Sequence, residues 1–350
     1  MSEKEDRLIE TIKRAIGKPS GGVVRGIGDD AAALAGVARL AGVARLRGAG
    51  RGGLLLLTSD MLVDGTHFRR EWMTAGQLGW KSLAVNLSDI AAMGGLPRAA
   101  VVSLGLPKGA GEGVDNVFVS EFYRGMKKLA VKFGVDIVGG DTVRAPALTV
   151  DVAILGEVEE KRCVYRSGAR AGDVIMVTGT LGDSAAGLGI LGKKKKKEFS
   201  KDEKILIKRH LQPTPRILEG REAAASRASA RGGASAMMDL SDGLAADLPR
   251  LAKASGVGAR IFAGALPASP ALRRFAGDKA SAVAATGGED YELLICAPKN
   301  KAEKLSKRIK EKTGTKVTAI GEIVPARRAC RIVDPNGKER PLPKPGFSHF

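Results

Sequence analysis

Histidine, cysteine and aromatic side chains are scarce in this chain of 350 residues, and several familiar signatures are missing altogether. Cys163, Cys296 and Cys330 are odd in number and widely spaced, which excludes a disulfide framework and a CxxC metal site and fits a reducing cytoplasm. An aromatic content of 4% is too thin for a base-stacking platform, so the formal charge of +19 is read as a field for phosphorylated small molecules rather than a nucleic-acid footprint. No apolar run approaches the roughly 20 residues of a membrane helix, and the acidic start MSEKEDRLIE lacks the basic-then-apolar order of a signal peptide. There is no GxxxxGK[ST] phosphate loop, no VAIK–HRD–DFG kinase set and no complete dinucleotide fingerprint. With three histidines and no GxSxG elbow, covalent hydrolase chemistry has little to stand on.

What is present is a mixed pattern long enough for two domains, with a boundary near Val158 (residues 1–157 and 158–350). Leu8, Ile12 and Ile16 recur at helical spacing. GGLLLLTSDMLV reads as a buried strand delivering Ser59 and Asp60 at its C-terminal end. TAGQLGWKSLAVNLSDIAAMGG reads as a helix with Leu78, Leu83, Leu87 and Ile90 on one face. AAVVSLGLP, VDIVGGDTV and ALTVDVAILGEV supply strands, and Phe118, Phe122, Met126 and Leu129 a second amphipathic helix, an α+β order. Strands and helices alternate again after Val158. AGVARL occurs twice in tandem before Arg51, too few copies for a solenoid, and reads as an expanded loop, as does the lysine-rich GKKKKKEFSKDEK.

Acids are expected at turns: Asp29, Asp30, Asp60, Asp89, Asp141, Asp239 and Asp242. Singly, each suits a turn or a helix cap. Together in apolar, Gly-rich surroundings they favour a cation, because clustered carboxylates repel one another, and hard oxygen ligands suit Mg²⁺. Metal without a nucleophile or an evident base points to phosphoryl transfer, where catalysis is mostly positioning and charge neutralisation. A phosphate acceptor, with its second pKa near about 6, needs no general base.

The motifs GIGDDAA, TSDMLVDGTHF, KSLAVNLSDIAAMGGLP, GGDT, RSGARAGD, DLSDGLAADL and GGEDYELL resemble, in this order and over nearly the whole chain, those of the thiamine-monophosphate kinases. That family belongs to the aminoimidazole ribonucleotide synthetase-like superfamily. The resemblance implies a two-domain α+β fold whose N-terminal strands close a shared barrel in a homodimer, with a C-terminal α/β domain. It implies a cytoplasmic enzyme using ATP and several Mg²⁺ ions to convert thiamine monophosphate directly to thiamine diphosphate, acting on neither nucleic acid nor membrane. By matching motifs, Asp30, Thr58, Ser59, Asp60, Asp89, Asp141, Asp239 and Asp242 would hold Mg²⁺, with Asp29 in support. Gly140, Asp141, Arg166 and Ser241 would meet ATP, Gly140 because a side chain there would obstruct the phosphates. His67, Glu289 and Phe347 would meet thiamine monophosphate. On their own, Thr58 and Ser59 suit a strand-end cap, Ser241 a helix cap and Phe347 plain packing equally well, and a lone histidine such as His67 suits a structural role better. Asp290 and Tyr291 are read as structural. Selenophosphate synthetase and the hydrogenase-maturation relative fit less well: no Cys precedes Cys163, and the chain ends GFSHF.

Overall fold

The computed structural model describes residues 3–16, 23–35, 53–107, 114–193, 198–225, 233–344 and 346. The tandem AGVARL segment, residues 194–197 of the lysine run and Phe347 lie outside the described residues. The first half runs α1 (Glu3–Ile16), β1 (Val23–Arg25), β2 (Ala32–Ala35), β3 (Gly53–Val63), α2 (Ala75–Ala92), β4 (Leu96–Leu106), α3 (Asn116–Phe133), β5 (Asp136–Arg144) and β6 (Thr149–Glu159). The second runs β7 (Asp173–Thr178), α4 (Asp183–Leu191), α5 (Lys201–Leu211), α6 (Ile217–Ala225), β8 (Ala236–Asp239), α7 (Leu244–Ser255), β9 (Val257–Phe262), α8 (Pro270–Ala276), α9 (Ala280–Thr286), β10 (Leu293–Pro298), α10 (Lys299–Thr313), β11 (Val317–Pro325), β12 (Cys330–Val333) and β13 (Glu339–Pro341).

Two mixed sheets result, ordered β1-β2-β3-β6-β4-β5 and β13-β12-β9-β11-β7-β10-β8. Most pairs are antiparallel; β4 with β5 and β9 with β12 are parallel. This is the expected α+β architecture, with one sheet in each half.

Helix α2 joins the halves. Thr74 and Gln77 close a capping box at its start, and it ends at Met93, just before Gly94 at φ +71°. The apolar period predicts a single buried face, yet Lys81, Ser82, Asn86 and Ser88 are buried as well as Leu78, Leu83, Leu87 and Ile90. The reason is its surroundings: α2 packs against α3, α5 and α6 and also against β3, β6 and β8. Each fully buried leucine there contributes roughly 1.5–3 kcal/mol over an exposed one. The approach of α3 is close because glycine permits it: a Cβ at Gly79 would sit 1.9 Å from the Phe122 carbonyl oxygen.

The other face of the first sheet is open. Leu57 is 45% exposed, Met61 54%, Val101 43% and Val138 63%. These side chains alternate with inward ones such as Leu56 and Leu62, as the pleat dictates. Helix α1 forms as its period predicts, but Ile12 and Ile16 remain exposed.

Candidate active site

A cleft of about 890 Å³ opens between the two halves. Thirteen aspartate, hydroxyl, arginine, histidine and glutamate positions were anticipated by motif, and the structure brings most of them to its walls: Asp30, Thr58, Ser59, Asp60, His67, Asp89, Arg166, Asp239, Ser241, Asp242 and Glu289.

Its acidic floor is assembled from four elements. The turn at Gly28 (φ +122°) presents Asp29 and Asp30. Asp29 supports from beside, accepting the Arg166 backbone N–H at 2.8 Å. Asp30 Oδ1 pairs with the Arg166 guanidinium at 2.6 Å, while its Oδ2 is buried without a hydrogen-bond partner. Strand β3 carries Thr58 and Asp60 on its inner face. Thr58 Oγ1 donates to Asp89 Oδ2 at 2.5 Å, and the Asp60 backbone N–H donates to Asn86 Oδ1 at 2.9 Å. Ser59 points to the open face, where it donates to Asp151 Oδ1 at 2.8 Å. Helix α2 delivers Asp89, and Ser88 donates to Asp239 Oδ2 at 2.7 Å. Asp239 ends β8. In the loop beyond it, Asp242 Oδ2 accepts from Arg250 at 2.5 Å, and Asp247 caps α7 by accepting the backbone N–H groups of Asp242 and Gly243.

Carboxylate oxygens of Asp30, Asp89 and Asp239 lie within 4.8 Å of one another. Burial, and then their neighbours' charges, make ionisation of Asp60, Asp89 and Asp239 expensive. Asp60 is pushed up to about 6 by burial and by Asp151, Asp242 and Asp30. Asp89 is raised well above the ordinary range by burial and by Asp60, Asp239 and Asp30. Asp239 is raised likewise by burial and Asp30. Hard oxygen donors, mutual repulsion and an orphaned Oδ2 together fit a divalent cation.

The opposite wall is built for a different group. His67 Nδ1 accepts the Val63 backbone N–H at 3.1 Å, which fixes the ring and leaves Nε2 as its donor nitrogen. Glu289 Oε1 lies 2.8 Å from the buried Lys81 ammonium, and Oε2 lies 3.3 Å from His210 Nδ1. Trp72, Phe275 and Tyr291 add aromatic surface.

Two expectations need correction. The acids do not all sit at turns: Asp60 is inside β3, which continues to Val63, Asp141 is inside β5, and Asp89 is in the last turn of α2. Hydrogen bonding by α2 and the sheet positions these carboxylates more rigidly than loops would. Gly140 and Asp141 are not in the cleft of their own chain. They lie on exposed edge strand β5, three strands from Ser59 in the order β3-β6-β4-β5, or roughly 14 Å at the ~4.8 Å strand spacing. Asp141 therefore cannot share an ion with Ser59 within one chain. Within one chain glycine at 140 has a backbone reason of its own: at φ +154° a Cβ would meet the Val102 carbonyl oxygen at 1.8 Å. Gly140→Ala is expected to lose about 1–3 kcal/mol of stability through overpacking, readable as a lower Tm in thermal denaturation.

Sequence reasoning passed over Lys81, Asp151, His210, Asp247 and Arg250. A signal existed for Lys81, because Lys81, Val85 and Asp89 recur every four residues along α2 and so share a stripe. Asp151 and His210 are brought in by tertiary contact, whereas Asp247 and Arg250 reach Asp242 through local contacts at the start of α7.

The paired halves and the acidic cleft define a class. The AIR synthase related protein family matches through its N-terminal domain over residues 28–158 and its C-terminal domain over residues 170–334. Within that class, the "Thiamine-monophosphate kinase" of Buchnera aphidicola subsp. Schizaphis graminum is 38% identical over 331 residues, 93% of each chain. That of Escherichia coli K12 is 40% identical over 298 residues, 85% of this chain and 86% of its own. A solved structure described as "AaThiL complexed with AMPPCP and TMP" is 35% identical with a TM-score of 0.79, covering 100% of this chain and 99% of that one. This chain belongs to the thiamine-monophosphate kinase family.

Proposed function

We propose that this protein transfers the γ-phosphoryl group of ATP directly to thiamine monophosphate, giving thiamine diphosphate and ADP. The observation that carries the reading is the triad of converging carboxylates, Asp30, Asp89 and Asp239, on the floor of a cleft whose other wall carries His67 and Glu289. Relatives over most of the chain are thiamine-monophosphate kinases, and a similar structure holds an ATP analogue with TMP.

In this reading Asp30, Asp60, Asp89, Asp239 and Asp242 hold Mg²⁺. When bound, the metal neutralises phosphate charge and aligns the reacting groups. Thr58 orients Asp89, and Ser88 orients Asp239, by the hydrogen bonds described above. Arg166 occupies Asp30 Oδ1 from within the cleft and is placed to meet a phosphate oxygen, for which a guanidinium is well shaped. Ser241 lines the same wall. An oxygen of the acceptor phosphate attacks γ-phosphorus in line, and the bond to the β,γ-bridging oxygen breaks, its electron pair leaving on ADP. That acceptor is already ionised near neutral pH, so no side chain has to take a proton. His67 Nε2 is the donor nearest the acceptor side, and Glu289 faces the same substrate.

We read the active form as a cytoplasmic homodimer. Support comes from the open apolar face of the first sheet and from exposed edge strand β5, both of which a second copy would cover. Gly140 and Asp141, stranded outside the cleft of their own chain, then lie at the join. Among the described residues no helix is long and apolar enough to cross a membrane.

The test is incubation of folded protein with ATP, Mg²⁺ and thiamine monophosphate. Thiamine diphosphate and ADP are expected in equal amounts, and no phospho-enzyme with ATP alone. Absence of product across magnesium concentrations would refute the reading.

A further inference from the structure

Glu289 sits in an unusual piece of backbone. Only three non-glycine residues among those described have positive φ, and two of them, Glu289 (63°) and Tyr291 (50°), flank Asp290. Such conformations are costly and persist only where the surroundings over-determine them. Here they do. Both Asp290 oxygens accept backbone N–H groups at the start of α4, from Gly182 at 2.6 Å and Ser184 at 3.1 Å. The Glu289 N–H donates to the Ser241 carbonyl at 2.6 Å, and the Tyr291 N–H to the Leu240 carbonyl at 3.0 Å. The loop is thus bolted on two sides, and the Glu289 side chain is thrown toward α2.

There it meets Lys81, whose side chain is 0% exposed, against 27% for Glu289. A lysine ammonium is almost never so fully buried unless paired, and the counter-charge in contact here is Glu289 Oε1 at 2.8 Å. His210, pushed down to about 4 by burial and by Lys81, is neutral near pH 7 and adds no second positive charge. Burial alone would lift the Glu289 carboxyl, but the Lys81 ammonium beside it outweighs burial and holds it below the ordinary range.

We infer that Lys81 and Asp290 are positioning residues for the acceptor: Lys81 holds the Glu289 carboxylate in one orientation, and Asp290 holds the strained loop that aims it. Nothing in the family match assigns either role. The inference rests on the proposed reaction and deepens it, since Glu289 is the group that faces thiamine monophosphate.

The experiment is a double-mutant cycle, with thiamine monophosphate affinity read by calorimetry and KM for both substrates read by kinetics. Glu289→Gln is expected to weaken thiamine monophosphate about tenfold to hundredfold, the range of a charge-assisted hydrogen bond, with KM for ATP within about twofold of the parent. Lys81→Met is expected to do the same. The double variant Lys81→Met/Glu289→Gln should then match Glu289→Gln alone within about twofold, because one residue acts through the other. If Lys81→Met is too unstable to purify, the double variant decides the matter, since it removes both charges together and leaves neither unpaired. Asp290→Asn should raise KM for thiamine monophosphate and spare KM for ATP.

A further tenfold loss in the double variant, an unchanged thiamine monophosphate affinity in Lys81→Met or Asp290→Asn, or a loss falling on ATP would each overturn the inference. Failure of the parent protein to bind or convert thiamine monophosphate would instead refute the proposed function, and this inference would fall with it.

Discussion

Asp89→Asn lowers kcat/KM for phosphoryl transfer by about a thousandfold or more, and at the same time raises the Tm of the metal-free protein. Both expectations follow from one geometry. Asp89 shares the 4.8 Å triad with Asp30 and Asp239, and Asp60 adds to the charge around it. An amide there removes a negative ligand, and several kcal/mol of charge stabilisation at the reacting phosphates goes with it, at about 1.36 kcal/mol per factor of ten. Without metal, the same amide relieves desolvation and like-charge repulsion. Relief of about 1 kcal/mol moves Tm by about 2–4 °C in a chain of 150–250 residues and somewhat less in one this long. Thermal melts with and without Mg²⁺ and a coupled ADP assay check the pair. A variant that is inactive and also less stable without metal would show that Asp89 serves packing instead.

Magnesium affinity is expected to fall steeply on acidification through pH 6. Asp60 and Asp29 are both raised from 3.8 to about 6, and Asp89 and Asp239 stand well above the ordinary carboxylate range. Metal and protons compete for these oxygens, so each proton displaced costs about tenfold in affinity per pH unit below the relevant pKa. The effect on stability has the opposite sense for the metal-free chain. Between about pH 4 and 6 the folded form binds more protons at Asp29 and Asp60 than the unfolded form does. Their contribution to stability is therefore greatest in acid and declines as pH rises through that window. Added Mg²⁺ should raise Tm strongly at pH 8 and little at pH 5. Calorimetric titration of Mg²⁺ across this range, with proton release followed in buffers of different ionisation heat, measures both. A flat Tm increment from pH 5 to pH 8 would contradict it.

How much of this could be read beforehand depends on how far each feature is local. Strand β3 was legible as a short apolar run ending in polar residues, while its alternation of open and buried faces is seen only in the fold. Helix α2 was legible as a helix through its apolar spacing, but not as a helix buried on nearly every side. Burial of Ser88 and Asn86 is decided by β8 and β3, which are remote in sequence. The acids were legible as a set, because Asp runs beside Gly and Ser are conspicuous in a basic chain. Their placement inside elements was not, since an Asp in a helix and an Asp in a turn look alike when each is read alone. Asp141 shows the limit most plainly: its motif is clear, yet its strand sits at the far edge of the sheet. Arg250 and Asp247 are a different case: they lie close to Asp242 along the chain, and their pairing with it follows from the turn into α7.

Helix α2 has one more implication. In the proposed reaction Lys81 would serve the acceptor side and Asp89 the metal and phosphate side, eight residues apart on a single rod. At 1.5 Å per residue, that rod sets about 12 Å between the two anchorages. It acts as a gauge whose length no side-chain motion can alter. Inserting one residue between them would rotate one mark by about 100° against the other, so in the proposed reaction the spacing of donor and acceptor would be inherited directly from the count of residues along one helix.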